Sequence, residues 1–382
     1  MIKDPAVFKF QSGPLQESVP FSIVTSVCVD TDASHASINY PMLESGSWDA
    51  KRAIYWSIAT VLLCTSIRQN PGIRHLVYTN SRIDVAVGSV KIRRLLKSLG
   101  VEVIDLPFRT FVPPSSHCRQ FRNAFYKLEV LSELAHQCAG GALLLDSDCI
   151  ALKPATQLIE LCRSGGLVVY DVYRRGDINS LAPHGISRAA MGTCFRSLDA
   201  DYPEPAPIWF GGEFVGGCSA ALAKCGEFMK RAFEPVKRDV ISRDIRMPNG
   251  AGFFDNDEFF SSFVYNKIDI PKREVAGAFS RLNSVGSDAD PRSVSQGLVF
   301  AHLPGEKSTG LRHLFFEAVN PDSEFWQVPS PEFGTYLREF VGMPNRTKGL
   351  GSPPEIYSPT PRWVLAYRRF LSRLRCLSGF ED

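Results

Sequence analysis

The sequence predicts an α/β fold with a mostly parallel central sheet flanked by helices, in a single catalytic domain with a C-terminal extension. Three observations predict it. Short strands rich in β-branched residues alternate with longer helical stretches along most of the chain, which is the rhythm of a parallel sheet. Leu143, Leu144 and Leu145 form a continuous apolar run, the pattern of a strand covered on both faces. Polar residues gather just after predicted strands, where ligands bind in such sheets.

Each element follows from local signals. Residues 1–20 are polar and proline-containing and are expected to be a loose lead-in. Phe21 to Val29 reads as a strand, followed by Asp30-Thr31. Ser47 begins a helix that runs to about Gln69, where Asn70-Pro71-Gly72 stops it. Ile73 to Thr79 is a second strand, ending at Asn80. A helix near Val90–Leu99 ends at Gly100, and Val101–Leu106 is a third strand closed by Pro107. Phe121, Phe125, Leu128, Leu131, Ala135 and Cys138 recur at helical spacing and give one apolar stripe. Arg122 and Lys127 lie on this helix; Lys127 is expected to be solvated charge, whereas Arg122 either is solvated or reaches a phosphate or an acidic ligand.

The acidic strand end comes next. Side chains alternate along a strand, so Asp146 and Asp148 project to one side and offer hard oxygen ligands to Mn²⁺ or Mg²⁺. The plainer reading has one Asp capping a turn and the other in water. Ala155–Cys162 reads as a helix and Leu167–Tyr170 as a strand. Residues 171–206, with several prolines, are expected to be a long irregular loop serving as a lid. Trp209–Gly217 is glycine-rich, and Glu213 within it is either a functional acid or an exposed residue on a bulged sheet edge. Asp255 and Glu258 have the spacing of a capping box. An acid at that helix start, Asp257 or Glu258, is alternatively a general base for an acceptor hydroxyl. Late in the chain a strand delivers His302, then a Pro-Gly turn, then Lys307. Imidazole can bind a metal and lysine is a point charge for phosphate; a lone His after an apolar strand is otherwise a core residue.

Composition narrows the function. The chain has 382 residues and 44% apolar content, enough for one large domain with a tail. A net charge of +3 gives no bulk attraction to nucleic acid. The ten cysteines are scattered without a C-x-x-C pair, which speaks against a disulfide framework or structural zinc and for a reducing, cytoplasmic setting. No run of apolar residues reaches membrane-spanning length and the N-terminus opens no signal-peptide core. Beyond a domain at 21–327, residues 328–361 are expected to be a proline-rich linker. Residues 362–382 combine Trp363, Tyr367, Phe370, Leu374 and Leu377 at helical spacing with several arginines. They read either as a basic amphipathic helix at an anionic membrane surface or as a terminal helix docked on the domain.

Asp146-Ser147-Asp148, the basic residue Arg122 on the preceding helix, and His302-Leu303-Pro304-Gly305-Glu306-Lys307 together resemble GT-A glycosyltransferases. The pattern is most similar to the family-eight group that includes glycogenin and bacterial lipooligosaccharide galactosyltransferases. That family carries H-x-x-G-x-x-K, whereas this chain has one residue between Gly305 and Lys307, and no Pro-Trp follows. By motif order the resemblance spans residues 20–316. It implies a Rossmann-like GT-A fold and a hexosyltransferase acting on a nucleotide-diphosphate sugar, a UDP-sugar above all, with Mn²⁺ or Mg²⁺ held by Asp146, Asp148 and His302. Donor contacts would come from Asp30, Thr79, Asn80, Arg122, Asp146 and Lys307, and catalytic acids from Asp257, Glu258 and Glu213. The acceptor would be a glycan, a lipid-linked glycan or a protein, and the enzyme would sit in the cytoplasm or peripherally at a membrane. Family-eight enzymes retain the anomeric configuration, while an acid at the Asp257 position is a feature of inverting ones. Two other readings are a sugar-nucleotide nucleotidyltransferase, which should carry an N-terminal glycine-rich phosphate loop absent from Val24–Thr31, and a non-catalytic, partner-binding relative of the fold.

Overall fold

The computed structural model describes residues 20–30, 48–114, 121–172, 186–203, 205–238, 252–275, 277–282 and 297–341. The lead-in 1–19, residues 173–185 and 204 of the expected lid, and the C-terminal segment 342–382 lie outside the described residues. The first part of the domain runs β1 (Ser22–Val27), α1 (Trp48–Gln69), β2 (Arg74–Thr79), a small hairpin of β3 (Ala86–Val87) and β4 (Val90–Lys91), α2 (Ile92–Ser98) and β5 (Glu102–Asp105). It continues with a 3₁₀ turn over Arg122–Phe125, α3 (Tyr126–Gln137), β6 (Ala142–Leu145), β7 (Cys149–Ala151), α4 (Thr156–Arg163), β8 (Leu167–Asp171), α5 (Arg188–Leu198), β9 (Phe210–Gly217) and α6 (Ser219–Lys237). The last part holds α7 (Asp257–Lys267), β10 (Lys272–Glu274), β11 (Phe279–Arg281), β12 (Phe300–His302), α8 (Gly310–Val319), α9 (Glu324–Gln327) and α10 (Ser330–Arg338).

Seven strands form the central sheet in the order β10-β8-β9-β6-β1-β2-β5. Neighbours are parallel except where β9 enters, antiparallel to both β6 and β8. The alternation of side chains sends the two faces of this sheet into separate cores. Val24, Leu144 and Val215 pack with residues of α3, α6 and α7. Ile23, Leu143, Leu145, Val168 and Phe214 pack on the opposite side with Ala155, Leu158 and Cys162. Helices α1, α2, α8 and α10 share a third cluster with Val77 of β2. A second sheet, β11-β12-β7, crosses near the end of β6 and is the element that brings the late part of the chain to the acidic motif.

Three expectations are corrected here. The stretch 171–206 is not loop throughout: Ser187 caps α5 by accepting the Ala190 N–H at 3.2 Å, and Phe195 of that helix packs edge-on against Tyr202 and Phe263. Residues 330–338 are helix α10 rather than linker. Pro331 falls in its first turn, where a missing N–H costs nothing, and Phe333 and Leu337 are fully buried while Arg68 of α1 lies 4.1 Å over the Phe333 ring. At the start of α7 the N-cap is Asn256 rather than Asp255, and the Asn256 side chain accepts the Glu258 N–H at 2.8 Å. The described cysteines are all free, as their scatter implies, and all are buried except the half-buried Cys218. Among the described residues no helix is long and apolar enough to cross a membrane.

Candidate functional site

The site lies beyond the C-terminal end of β6, where β7 and β12 pair. β12 runs antiparallel to β7 with His302 opposite Cys149, and the Leu303 N–H donates to the Asp148 carbonyl at 2.9 Å. This pairing is why residues so distant in the chain meet. His302 Nε2 is 3.1 Å from Asp148 Oδ1 and 4.0 Å from Asp146 Oδ2. One ligand atom from each of Asp146, Asp148 and His302 can be chosen so that all lie within 4.8 Å of one another. Two carboxylates and an imidazole are a donor set for a small divalent cation, whose oxygen ligands at about 2.0–2.1 Å stand roughly 4 Å apart across the ion. The residues present therefore fit such an ion.

Lysines flank the acids. Lys307 Nζ is 3.0 Å from Asp148 Oδ2 and 5.6 Å from the centroid of the Tyr55 ring. Its position is set by Glu306, which accepts hydrogen bonds from the Gly310 N–H at 2.9 Å and from the Thr309 hydroxyl, and so anchors the turn to the start of α8. Lys127 Nζ is 2.9 Å from Asp146 Oδ1, 3.0 Å from Asp257 Oδ2 and donates to the Gly212 carbonyl at 3.1 Å. The expectation that Lys127 is solvated is thus wrong: α3 points it into the site, where it joins the acidic motif to the start of α7.

Behind His302 lies Glu213, fully buried in an interior strand, which excludes the exposed-edge reading. The β8–β9 pairing is irregular between Val169 and Asp171, so the bulge is real, but it sits inside the sheet. Arg281 grips Glu213 with both ends of its guanidinium, Nε to Oε1 at 2.7 Å and Nη2 to Oε2 at 2.6 Å, and also bonds Glu258. Gly211 and Gly212 make room for these groups. A Cβ at Gly211 would come within 2.4 Å of Glu213 Oε2, and one at Gly212 would stand 3.0 Å from Asp257 Oδ2. These glycines admit the site's own side chains.

The electrostatics follow from burial and neighbours. Burial would raise the Asp148 carboxyl, but Lys307 and then His302 overcome this and hold it well below the usual range. Burial raises Asp146, with Lys127 opposing. Burial would lower the His302 imidazole, yet Asp148 and Glu213 raise it to about 9. Glu258 is pushed up to about 7 by burial, against the pull of Arg281 and with Glu213 and Asp257 adding to the rise. Among the described residues Asp146, Asp148, Glu213, Asp257 and Glu258 are paired with Lys127, Lys307, Arg281 and His302.

The expected donor contacts are less uniform. Asp30 is buried beyond β1, where its Oδ1 accepts from Asn123 Nδ2 at 3.0 Å. Asn80 is turned onto the backbone of Val29, accepting its N–H at 2.9 Å and donating to its carbonyl at 2.8 Å, so this side chain clamps β1 to β2. Thr79 is fully buried, its hydroxyl accepting the Ser81 N–H at 3.3 Å. Both side chains are thus engaged within the fold. Arg122 lies close enough to Cys28 to lower its thiol, opposing burial and Asp30, which raise it. Lys127, Arg281 and Glu306 escaped sequence reasoning; only the glycine pair at 211–212 hinted that something bulky must be accommodated.

No protein-family model matches the sequence, and no curated protein matches it. Among solved structures the chain is similar to an active-site mutant of LgtC, with 12% identity and a TM-score of 0.46 over 88% of this chain and 100% of that one. It is similar to the bifunctional glycosyltransferase WbbM, with 11% identity and a TM-score of 0.49 over 83% of this chain and 52% of that one. It is also similar to the galactosyltransferase LgtC in complex with donor and acceptor sugar analogs, with 13% identity and a TM-score of 0.45 over 86% of this chain and 97% of that one. At that distance the likeness assigns nothing, and the functional reading rests on the site itself.

Proposed function

We propose that the protein is a divalent-cation-dependent glycosyltransferase of the GT-A type. It moves a hexose from a nucleotide-diphosphate sugar, with a UDP-sugar as donor, to a glycan, lipid-linked or protein acceptor. The observation that carries this reading is the convergence of Asp146, Asp148 and His302, with their ligand atoms within 4.8 Å, beside Lys307 at the mouth of a mostly parallel sheet. Mn²⁺ or Mg²⁺ held by these residues would supply charge stabilisation to a departing diphosphate. Lys307, a point charge on a flexible stem, would supply positive charge to a phosphate oxygen. Arg122, which like Asp30 lies near Cys28, is proposed to bind the nucleotide rather than the cation.

The acids at the start of α7 are engaged: Asp257 by Lys127 and Glu258 by Arg281. Glu213 is enclosed behind His302. None of the three is poised to take a proton from an acceptor, which favours a reaction with no dedicated protein base and retention of configuration. The basic segment 362–382 is proposed to bring the enzyme to an anionic membrane surface from the cytoplasm; deletion of residues 361–382 should then abolish binding to anionic liposomes, and unchanged binding would refute it. The activity is tested by incubating the protein with Mn²⁺ and a panel of nucleotide sugars and following release of nucleoside diphosphate. Release that requires the cation supports the reading, and cation binding without release from any donor favours a non-catalytic role.

A further inference from the structure

His302 stands between two carboxylates. Its Nε2 faces Asp148, while its Nδ1 faces Glu213 Oε1 at 3.6 Å, slightly beyond hydrogen-bond length. Nδ1 is buried and without a hydrogen-bond partner. Glu213 is fully buried in β9 and stands outside the group Asp146, Asp148 and His302 whose ligand atoms converge. Burying an acid there is costly unless it is paired and bonded. The structure supplies the pairing in full. Arg281 binds both carboxylate oxygens, sits beside His302 as its register partner on the parallel strand β11, and lies 5.7 Å from the centroid of the Trp209 ring. Gly211 leaves the space that Glu213 Oε2 occupies.

We propose that Glu213 is a positioning residue for His302 and that Arg281 fixes Glu213 in that task. The carboxylate accepts the Nδ1–H of the neutral imidazole, which leaves the Nε2 lone pair directed at the cation shared with Asp146 and Asp148. Outer-shell carboxylates of this kind fix the tautomer and ring orientation of a metal-binding histidine. The inference rests on the cation reading of the site. An arginine–glutamate pair kept for stability alone would not need to end on the imidazole, and this difference can be measured.

The test uses the full chain and two readouts. In the wild-type protein loaded with Mg²⁺, nitrogen NMR of labelled histidine should show His302 protonated at Nδ1 and bare at Nε2; the opposite tautomer overturns the proposal without any variant. Mn²⁺ affinity, followed by the electron paramagnetic resonance of the free ion, is then compared in wild type, Glu213→Gln and the double variant Glu213→Met with Arg281→Met, with calorimetry reporting folding. The double variant removes Glu213 together with its arginine but leaves Glu258 without Arg281, so its folding is read from calorimetry before its affinity is compared. Both variants should bind Mn²⁺ roughly ten- to a hundredfold more weakly, the usual cost of losing such a partner. Wild-type affinity in either folded variant overturns the proposal. Absence of Mn²⁺ binding in the wild type would instead defeat the cation reading itself, and that result appears before position 213 is touched.

Discussion

Lys127 and Asp146 are joined by a contact of 2.9 Å between Nζ and Oδ1, and the same ammonium is 3.0 Å from Asp257. Helix α3 thus neutralises the acidic motif that follows it, and Lys127 is itself held charged by Asp146 and Asp257 against its burial. Replacing it by methionine leaves two neighbouring acids without a counter-charge. Lys127→Met should lose about 3 kcal/mol, the low end for breaking a buried pair because Asp146 is part-exposed. Mn²⁺ should raise the melting temperature more in this variant than in wild type, because the ion replaces the missing charge. Equal urea midpoints for the two proteins would remove Lys127 from the cluster's energetics.

Away from the site, His75 gives a pH signature of the fold. It is buried, with Nε2 at 2.9 Å from the Ser66 hydroxyl, and burial lowers its pKa from 6.5 to about 4. The ring is neutral in the folded state and protonates more readily when unfolded. Its contribution is therefore complete above about pH 6.5 and is lost as pH falls toward 4, by roughly 3 kcal/mol at 1.36 kcal/mol per unit. Urea denaturation at neutral and at mildly acid pH should show a smaller acid loss in His75→Gln than in wild type. Identical pH dependence would contradict this assignment.

Much of this was legible in the sequence because it depended on local periodicity. The strands of the sheet, the stripe of α3, and Asp146, Asp148 and His302 announce themselves through runs of apolar residues ending in polar ones. Lys127 did not, because a lysine on a helix looks the same whether it meets water or two carboxylates. Arg281 lies in a short strand of three residues with no periodicity to mark it. Helix α10 was hidden by Pro329 and Pro331, which read as linker until the buried Phe333 and Leu337 show that the segment is packed. Asn80 was placed correctly at a strand end, but its side chain turned out to serve the backbone, a choice that only the β1–β2 register reveals.

The loop 109–111 is held by one carboxylate. Glu129 on α3 accepts the N–H groups of Arg109, Thr110 and Phe111 at 3.1, 2.8 and 3.2 Å, and the Thr110 hydroxyl at 2.7 Å. A glutamine could keep one oxygen for the three amides and donate to the Thr110 hydroxyl, whereas a methionine removes both acceptors. Glu129→Met should cost about 2–3 kcal/mol, the penalty for leaving buried donors unsatisfied. Hydrogen exchange should show faster amides at 109–111 with the sheet unaffected; unchanged protection there would show that the loop is held by other means.

Stereochemistry tests the reading of the α7 acids. With Asp257 and Glu258 both paired, the product should keep the anomeric configuration of the donor. Proton NMR of the anomeric coupling in the first product formed decides it. An inverted product would return Asp257 to the role of base.

The central claim is that acids after β6 and the imidazole ending β12 hold one cation. The direct measurement is a Mn²⁺ titration by electron paramagnetic resonance of the wild type beside Asp148→Asn, a variant that keeps the side-chain shape. The wild type should bind one ion and release nucleoside diphosphate from a nucleotide sugar. Asp148→Asn should keep its fold, bind Mn²⁺ at least ~100-fold more weakly and release none, since a charged ligand of the ion is gone. Equal Mn²⁺ binding by the two proteins, or none by the wild type, would contradict the account.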